Sequence, residues 1–463
     1  MFQGSPVAEL IKQRPAQPGV NWSGAYKAAR EWISECFESH ENCPKQSSLS
    51  NLPTRVLDLS AESGTERIKL KISKGAKAQY AALSYCWGST KQMTTTLESL
   101  LSFTEDGIEI KDLPKTLQDA IHVCRNLELR YIWIDSLCIL QDSAVDKAVE
   151  ISMMPQIYKG ATVTISAAVA SDCGQGFLED RSHVRDVLDA SFPLPYALKD
   201  TGKTDLQEVL GNLDEDDTDG IFLCPSPYCG FNVKEFEKEP INQRAWTLQE
   251  SWLSPRLLIY GAGPLQWQCL SAAKSFGGTP PSQVQEDFFP TRNRHKFIAP
   301  RPDVADQETL SSELMTIVSE YTGRSMTDPQ DKLPALSGIA AEFGRLSGDE
   351  YVAGLWASTL PYSLLWHQVS QPPSPPNETY RAPSWSWAAV DGVIRFKDPN
   401  PWVARTEVKI NSVSITPATS LAPLANVIAE KLILTGPMRS MTWEEVQERF
   451  VIVNVGQSAH MVN

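Results

Sequence analysis

The stretch YAALSYCWGST, Tyr80 to Thr90, decides how this chain is read. It opens as a buried strand and closes on Ser84, Tyr85, Cys86 and Trp87, set against Gly88. A core strand that passes into a plain turn has no use for such a crowd of polar and aromatic groups. A strand that stops at the edge of a pocket does. The residues downstream alternate in type. LPKTLQDAIHVCRNLEL, with Pro114 near its start, spaces Leu117, Ala120, Ile121, Cys124 and Leu127 along one helical face. YIWIDSLCI predicts a second strand, apolar on both faces up to Asp135. SAVDKAVEISMMPQIYK predicts a second helix, broken or kinked near Pro155, and ATVTISAAVA a third, β-branched strand. Such alternation predicts right-handed crossovers and a parallel sheet covered on both faces. Working groups in such sheets collect at the carboxyl ends of the strands. Ser84–Gly88 and Asp135–Cys138 both fall there.

Outward from this core the organisation loosens. Residues 1–20 are rich in Pro, Gln and Gly, a helix is expected from about Tyr26 to Glu38, and LPTRVLDLS with RIKLKIS alternates like a hairpin. INQRAWTLQESWLSPRLLIYGAGPLQWQC predicts a helix, a turn at Ser254-Pro255 and two strands. The acidic run LDEDDTDG lacks the spacing and closing Glu of an EF-hand and reads as a solvated loop. Residues 275–310 read as a linker or excursion, a helix is expected over Thr309–Tyr321, and SQPPSPPNET as a loop insertion. The expectation is therefore an α/β chain: a helix and hairpin region (1–77), a parallel-sheet core (78–262) and a mixed α+β extension (263–463).

Bulk properties narrow the functions. With 463 residues, 42% of them hydrophobic and 21% charged, the chain has the composition of a folded protein with room for two or three domains. A net charge of −14 argues against nucleic-acid partners, which need a basic footprint. No apolar run is long enough to span a membrane, and the first residues lack a signal core. Nine cysteines without a framework rhythm point to a reducing compartment, the cytosol or nucleus. There is no G-x-G-x-x-G opening a helix, no Walker A loop, no H-E-x-x-H and no G-x-S-x-G.

The candidate groups carry two readings each. Asp135 ends an apolar strand, where a carboxylate is costly unless paired or placed at an opening. Glu150 lies about two turns into the next helix. Either carboxylate could act as a base, stabilise an oxocarbenium ion or hold a ribose diol. The structural alternatives are a cap or arginine pair for Asp135 and a surface helix position for Glu150. Cys86 and Cys138 could be nucleophiles with His122 as base, but buried cysteines usually pack as small hydrophobes. Cys36, His40 and Cys43 offer three ligand types that zinc accepts, against plain packing. In RAWTLQE, Arg244 and Trp246 cannot share a helical face, whereas Trp246, Gln249 and Glu250 can, as a purine or ribose shelf or as a domain-joining helix. Trp385 and Trp387 would face one way if extended, to stack a ligand or fill a core.

The ordered blocks ALSYCWG, LPKTLQDAI, YIWIDSLCILQD, QIYKGATVTISA, RAWTLQESWLSPRLLIY and PSWSWA together resemble the fungal heterokaryon-incompatibility (HET) domain family. The resemblance implies a cytoplasmic fungal protein of non-self recognition and programmed cell death. HET domains are distantly similar to Toll/interleukin-receptor (TIR) domains, flavodoxin-like folds of which some cleave NAD at the nicotinamide–ribose bond. On that basis Glu150 would be the catalytic carboxylate and Asp135 would orient the sugar. Ser84, Tyr85, Trp87, Gly88, Cys138, Arg244, Trp246, Gln249 and Glu250 would line the pocket. NAD would be substrate, with no resident cofactor or metal, and a homo-oligomer is one expected partner state. The chain departs from the family in carrying DKAVE, Asp146 to Glu150, where many members have a tryptophan after the aspartate. Two other functions stay open: a free-standing HET protein recruited to small-molecule biosynthesis, and a non-enzymatic self-associating module.

Overall fold

The computed structural model describes residues 19–45, 50–60, 66–179, 192–194, 221–223, 239–276, 307–369, 379–396 and 407–437. The acidic run at 213–220, the first 18 residues and nearly all of the 370–379 insertion lie outside the described residues. The chain folds as two units. The first comprises residues 1–143, 157–242 and 254–292, and the second 144–156, 243–253 and 293–463.

The first unit begins with helix α1 (Ser23–Ser39), close to the expected span, and strands β1 (Arg55–Asp58), β2 (Arg67–Ile72) and β3 (Tyr80–Ser84). Helix α2 (Leu100–Glu105), β4 (Ile108–Glu109), α3 (Lys115–Asn126), β5 (Tyr131–Trp133) and the short α4 (Asp135–Cys138) follow. Helix α5 (Ala144–Gly160) crosses the division between the units and leads into β6 (Val163–Ser166). The hairpin β7 (Phe192–Leu194) and β8 (Ile221–Leu223) stands outside the main sheet. After α6 (Ala245–Leu253), which belongs to the second unit, come β9 (Arg256–Ile259), β10 (Gln266–Cys269) and β11 (Ala273–Ser275).

Nine of these strands form one sheet in the order β11-β10-β9-β6-β3-β5-β1-β2-β4. Its four central strands are parallel: β3 pairs with β5 and β6, and β6 with β9. Taken in chain order, these four lie second-first-third-fourth. That is the doubly wound order of flavodoxin-type sheets, whose switch point falls between the first and third strands. Here the switch point lies between β3 and β6, paired from Ala81↔Val163 to Ser84↔Ser166. Both strands are buried along their whole length, as strands covered on two faces must be.

Three expectations change. The sheet is mixed: β1 joins β5 antiparallel, and β1–β2–β4 and β9–β10–β11 continue antiparallel at its two margins. The connections β1–β2, β9–β10 and β10–β11 are too short for a parallel crossover, so only antiparallel pairing is open to them. The second strand ends at Trp133, and Asp135–Cys138 is a helical turn in which Cys138 N–H bonds back to Ile134 O at 2.8 Å. Asp135 starts that turn, as a short polar side chain favours. Finally, α5 runs through Pro155 as one helix. The ring removes the helical donor only from Ile151, which is half-exposed, so water can satisfy that carbonyl.

Buried tyrosines lock the end of α5 to the first parallel strand. Tyr158 Oη donates to Leu83 O at 3.1 Å and Tyr80 Oη to Ile157 O at 2.6 Å, while the Tyr158 ring meets Trp133 edge-on at 5.7 Å.

The second unit packs α6 against α8 (Pro334–Ser347), with α7 (Gln307–Tyr321) preceding it. Trp252 lies 5.8 Å from Phe343, ring to ring. A Cβ at Gly338 would meet Pro155 Cγ at 2.5 Å and Gln249 Oε1 at 2.6 Å, so only glycine lets these helices approach so closely. Three two-stranded sheets complete the unit: β12 (Tyr351–Val352) with β13 (Leu355–Trp356), β14 (Trp366–Gln368) with β15 (Ile394–Phe396), and β16 (Lys409–Pro417) with β17 (Val427–Thr435). Trp385 and Trp387 are not on a strand. Ser386 accepts a bond from Ala388 N–H and starts a 3-10 turn, and both tryptophans are buried in this unit.

Candidate active site at the carboxyl edge of the parallel strands

The chain leaving β3 supplies the rim predicted for it. Ser84 and Cys86 are buried, Cys86 in an apolar cluster with Ala168, Ile241, Leu257 and Ile259. Tyr85 is buried too, and its hydroxyl donates to Ser136 Oγ at 3.1 Å and accepts from Gln92 Nε2. Burial first, and then the nearby Asp135 charge, push that phenol well above its ordinary range, so it stays a neutral donor. Trp87 is half-exposed and its Nε1–H donates to Asp135 Oδ2 at 2.9 Å. Asp135 Oδ1 accepts from Ser136 N–H at 2.7 Å. The ends of β3 and β5 are thus tied by one indole–carboxylate bond, which aims the carboxylate and keeps the aromatic plane beside it.

The third strand contributes the other wall. The loop after β6 is held by two carboxylates that sequence reasoning missed. Asp172 Oδ2 accepts from Ser89 N–H at 2.6 Å and Thr90 N–H at 2.8 Å, while Oδ1 accepts from Gly174 N–H at 2.8 Å. Hydrogen bonds from Thr90, Gly174 and Ser89 hold its carboxyl well below the usual range. Gly88 has φ +69°, and a Cβ there would sit 2.2 Å from Asp172 Oδ2, so this rim position requires glycine. Asp119, buried on α3, accepts from Phe177 N–H at 2.8 Å and Leu178 N–H at 3.2 Å and pairs with Lys115. Asp172 stands in SDCGQG, where an aspartate two residues before glycine is the available sequence signal for a loop clamp. Asp119 shows locally only its i,i+4 pairing with Lys115, and its backbone partners stand almost sixty residues on.

The remaining predicted residues divide between the units. Cys138 is buried in the first, and its carbonyl accepts from Arg55 Nε at 2.7 Å. Its packed position and that of Cys86 are those of small core hydrophobes. His122 is exposed and bonds Asn21 Oδ1 at 3.0 Å. Glu150 falls in the second unit, 1% exposed, on the face of α5 that also buries Met154, Ile157 and Tyr158. Arg244, Trp246, Gln249 and Glu250 also belong to the second unit. Trp246 Nε1–H donates to Asp331 Oδ2 at 2.9 Å, and Gln249 Oε1 accepts from Gly338 N–H at 2.7 Å. Arg244 O accepts from Arg324 at 3.3 Å, and Glu250 is buried. These bonds engage Trp246 and Gln249 in tying α6 to the rest of its unit.

A shallow cleft opens at the other edge of the sheet, at the amino ends of β3, β6 and β9, with Phe37, Gln79, Lys159, Thr162 and Arg256 among its walls. Beside it the sequence-predicted trio Cys36, His40 and Cys43 is joined by Cys269 at the end of β10.

Residues 80–250 match the family model described as Heterokaryon incompatibility protein (HET), and this stretch of the chain is a HET domain. It takes in the parallel strands β3, β5 and β6, and with them the rim just described. No curated protein and no solved structure matches the chain. Among the described residues, no helix is long and apolar enough to cross a membrane.

Proposed function

We propose that this protein is a fungal effector of non-self recognition and programmed cell death whose HET domain hydrolyses NAD at the nicotinamide–ribose bond. The observation that carries the reading is Glu150, an acidic side chain 1% exposed on the buried face of α5. A carboxylate so placed costs folding free energy and marks a site where negative charge has a use. The flavodoxin-type strand order supports the reading as well, because it brings the Trp87–Asp135 pair to the edge where such sheets bind ligands.

In the proposed reaction the C1′–N1 bond of NAD breaks and nicotinamide leaves as a neutral base with the bonding pair. Positive charge develops on the ribose, and Glu150 stabilises it. Water then adds to C1′ and gives up a proton, yielding ADP-ribose.

Purified wild type and Glu150→Gln are incubated with NAD at high protein concentration, and nicotinamide release is followed by chromatography. Release by wild type alone is expected, as is loss of cell killing on expression of the variant. Equal release by both, or none by either while the protein is folded, overturns the reading.

A further inference from the structure

We infer that Cys36, His40, Cys43 and Cys269 form a Cys3His site for a structural zinc ion, which clasps the segments on either side of the HET domain. One ligand atom from each of the four lies within 4.8 Å of all the others. A tetrahedral ion with Zn–S about 2.3 Å and Zn–N about 2.0 Å sets its ligand atoms roughly 3.5–3.8 Å apart. His40 Nδ1 stands 3.3 Å from Cys269 Sγ and 3.9 Å from Cys43 Sγ, so the cluster brackets that spacing. The local fold explains the convergence. Cys36 lies in the last turn of α1, His40 caps it, and Cys43 follows in the turn where its N–H bonds His40 O. Cys269 ends β10 opposite Arg256, the first residue of β9.

Two neighbours point independently to a metal. The first is Glu35, whose Oε1 lies 4.0 Å from His40 Nε2, the ring nitrogen turned away from the cluster. A carboxylate behind the distal nitrogen is the usual support of a metal-bound imidazole, fixing its tautomer and orientation. Lys274 anchors that carboxylate through its other oxygen.

The second is Arg256, which is 2% exposed. Its Nε–H donates to Cys36 Sγ at 3.2 Å, another guanidinium N–H meets Pro44 O, and the group lies 4.1 Å from the Phe37 ring centroid. Among the described residues no carboxylate pairs with it. A buried cation with only sulfurs, a carbonyl and a ring for company lacks the carboxylate that usually pairs a buried guanidinium. Three thiolates and a neutral imidazole around a divalent zinc carry one net negative charge, which Arg256 balances. Its N–H also supplies the hydrogen bond that a ligating sulfur accepts.

Cys36, Cys43 and Cys269 are all buried and four protein ligands fill a tetrahedral ion, so the site is structural rather than catalytic. Its ligands come from before residue 80 and after residue 250, outside the HET match on both sides.

Full-length protein, expressed with zinc and purified without chelators, is analysed for metal by inductively coupled plasma mass spectrometry. One zinc per chain is expected in wild type, in His40→Cys and in Cys124→Ser, a buried cysteine outside the cluster. Cys43→Ser and Cys269→Ser should lose most of it. Should those variants fail to fold, wild type is titrated with a mercurial thiol reagent in the presence of a chromogenic zinc chelator, and one equivalent released upholds the site. Cobalt substituted for zinc should give the d–d absorption of a tetrahedral, thiolate-rich ion. Zinc absent from wild type, zinc retained in Cys269→Ser, or a disulfide among these cysteines on peptide mapping overturns the assignment.

Discussion

The two edges of the central sheet are built on opposite principles. At the carboxyl edge, most of the rim's polar groups bond one another: Trp87 bonds Asp135, Tyr85 bonds Ser136, and Asp172 gathers three backbone N–H groups. That edge is pre-organised without help, which a reaction site needs because its donors must already be aimed. Beside the amino end of β9, three cysteine sulfurs, an imidazole and a buried guanidinium meet without a carboxylate paired to the guanidinium among the described residues. There the arrangement calls for an ion. The rim is thus held mainly by its own hydrogen bonds, whereas the proposed clasp is completed by a metal.

The comparison breaks first on the clasp. Removing the zinc with a strong chelator, or replacing Cys269 by Ser, should lower the melting temperature by roughly 10 °C or more, since a unit of this size shifts about 2–4 °C per kcal/mol. Differential scanning fluorimetry checks it, and an unchanged midpoint after complete metal removal would place the two edges on the same footing. Next in size is Asp119→Ala, which strands the buried N–H groups of Phe177 and Leu178 and should cost about 2–4 kcal/mol in chemical denaturation. Asp172→Ala should act more locally. The amides of Ser89, Thr90 and Gly174 lose their acceptor, so their hydrogen exchange should quicken while the sheet core stays protected.

The smallest effect is expected where the sheet meets solvent. Burial pushes the Asp58 carboxyl up, but bonds from Arg130 and Ser60 outweigh it and leave it below its usual value. A depressed carboxylate stabilises the fold above its unfolded value of about 3.9, and that contribution fades as the pH falls through the folded value. Asp58→Asn should thus cost under about 1 kcal/mol near neutral pH, because Arg130 is largely exposed, and next to nothing in strong acid. Denaturation curves of both proteins across the acid range test this.

Much of this was legible in the sequence because the signals were local. The runs YAALS, YIW and VTIS lie where strands were expected, and the cluster after Ser84 ends the first of them at the switch point. The hairpin of β1 and β2 was equally plain, yet nothing in its alternation told that β1 would extend the parallel sheet by pairing antiparallel with β5. Three of the four clasp residues could be read from C-x3-H-x2-C. The fourth could not, since Cys269 stands 229 residues from His40 and ends an ordinary strand. Trp385 and Trp387 fill a core, as one of their two readings had it, but from a turn rather than an extended segment, because Ser386 accepts a bond from the nearby Ala388 N–H. Polar side chains that bond locally override periodicity.

A nicotinamide nucleotide is expected to bind at the carboxyl edge of the parallel strands. Hydrogen–deuterium exchange of Glu150→Gln, with and without saturating NAD, reads that position while the substrate is not consumed. Slower exchange is expected in residues 84–90, 135–138 and 172–174, around the Trp87–Asp135 pair. Protection confined to the opposite cleft, at Gln79, Lys159 and Thr162, or none anywhere, would contradict it.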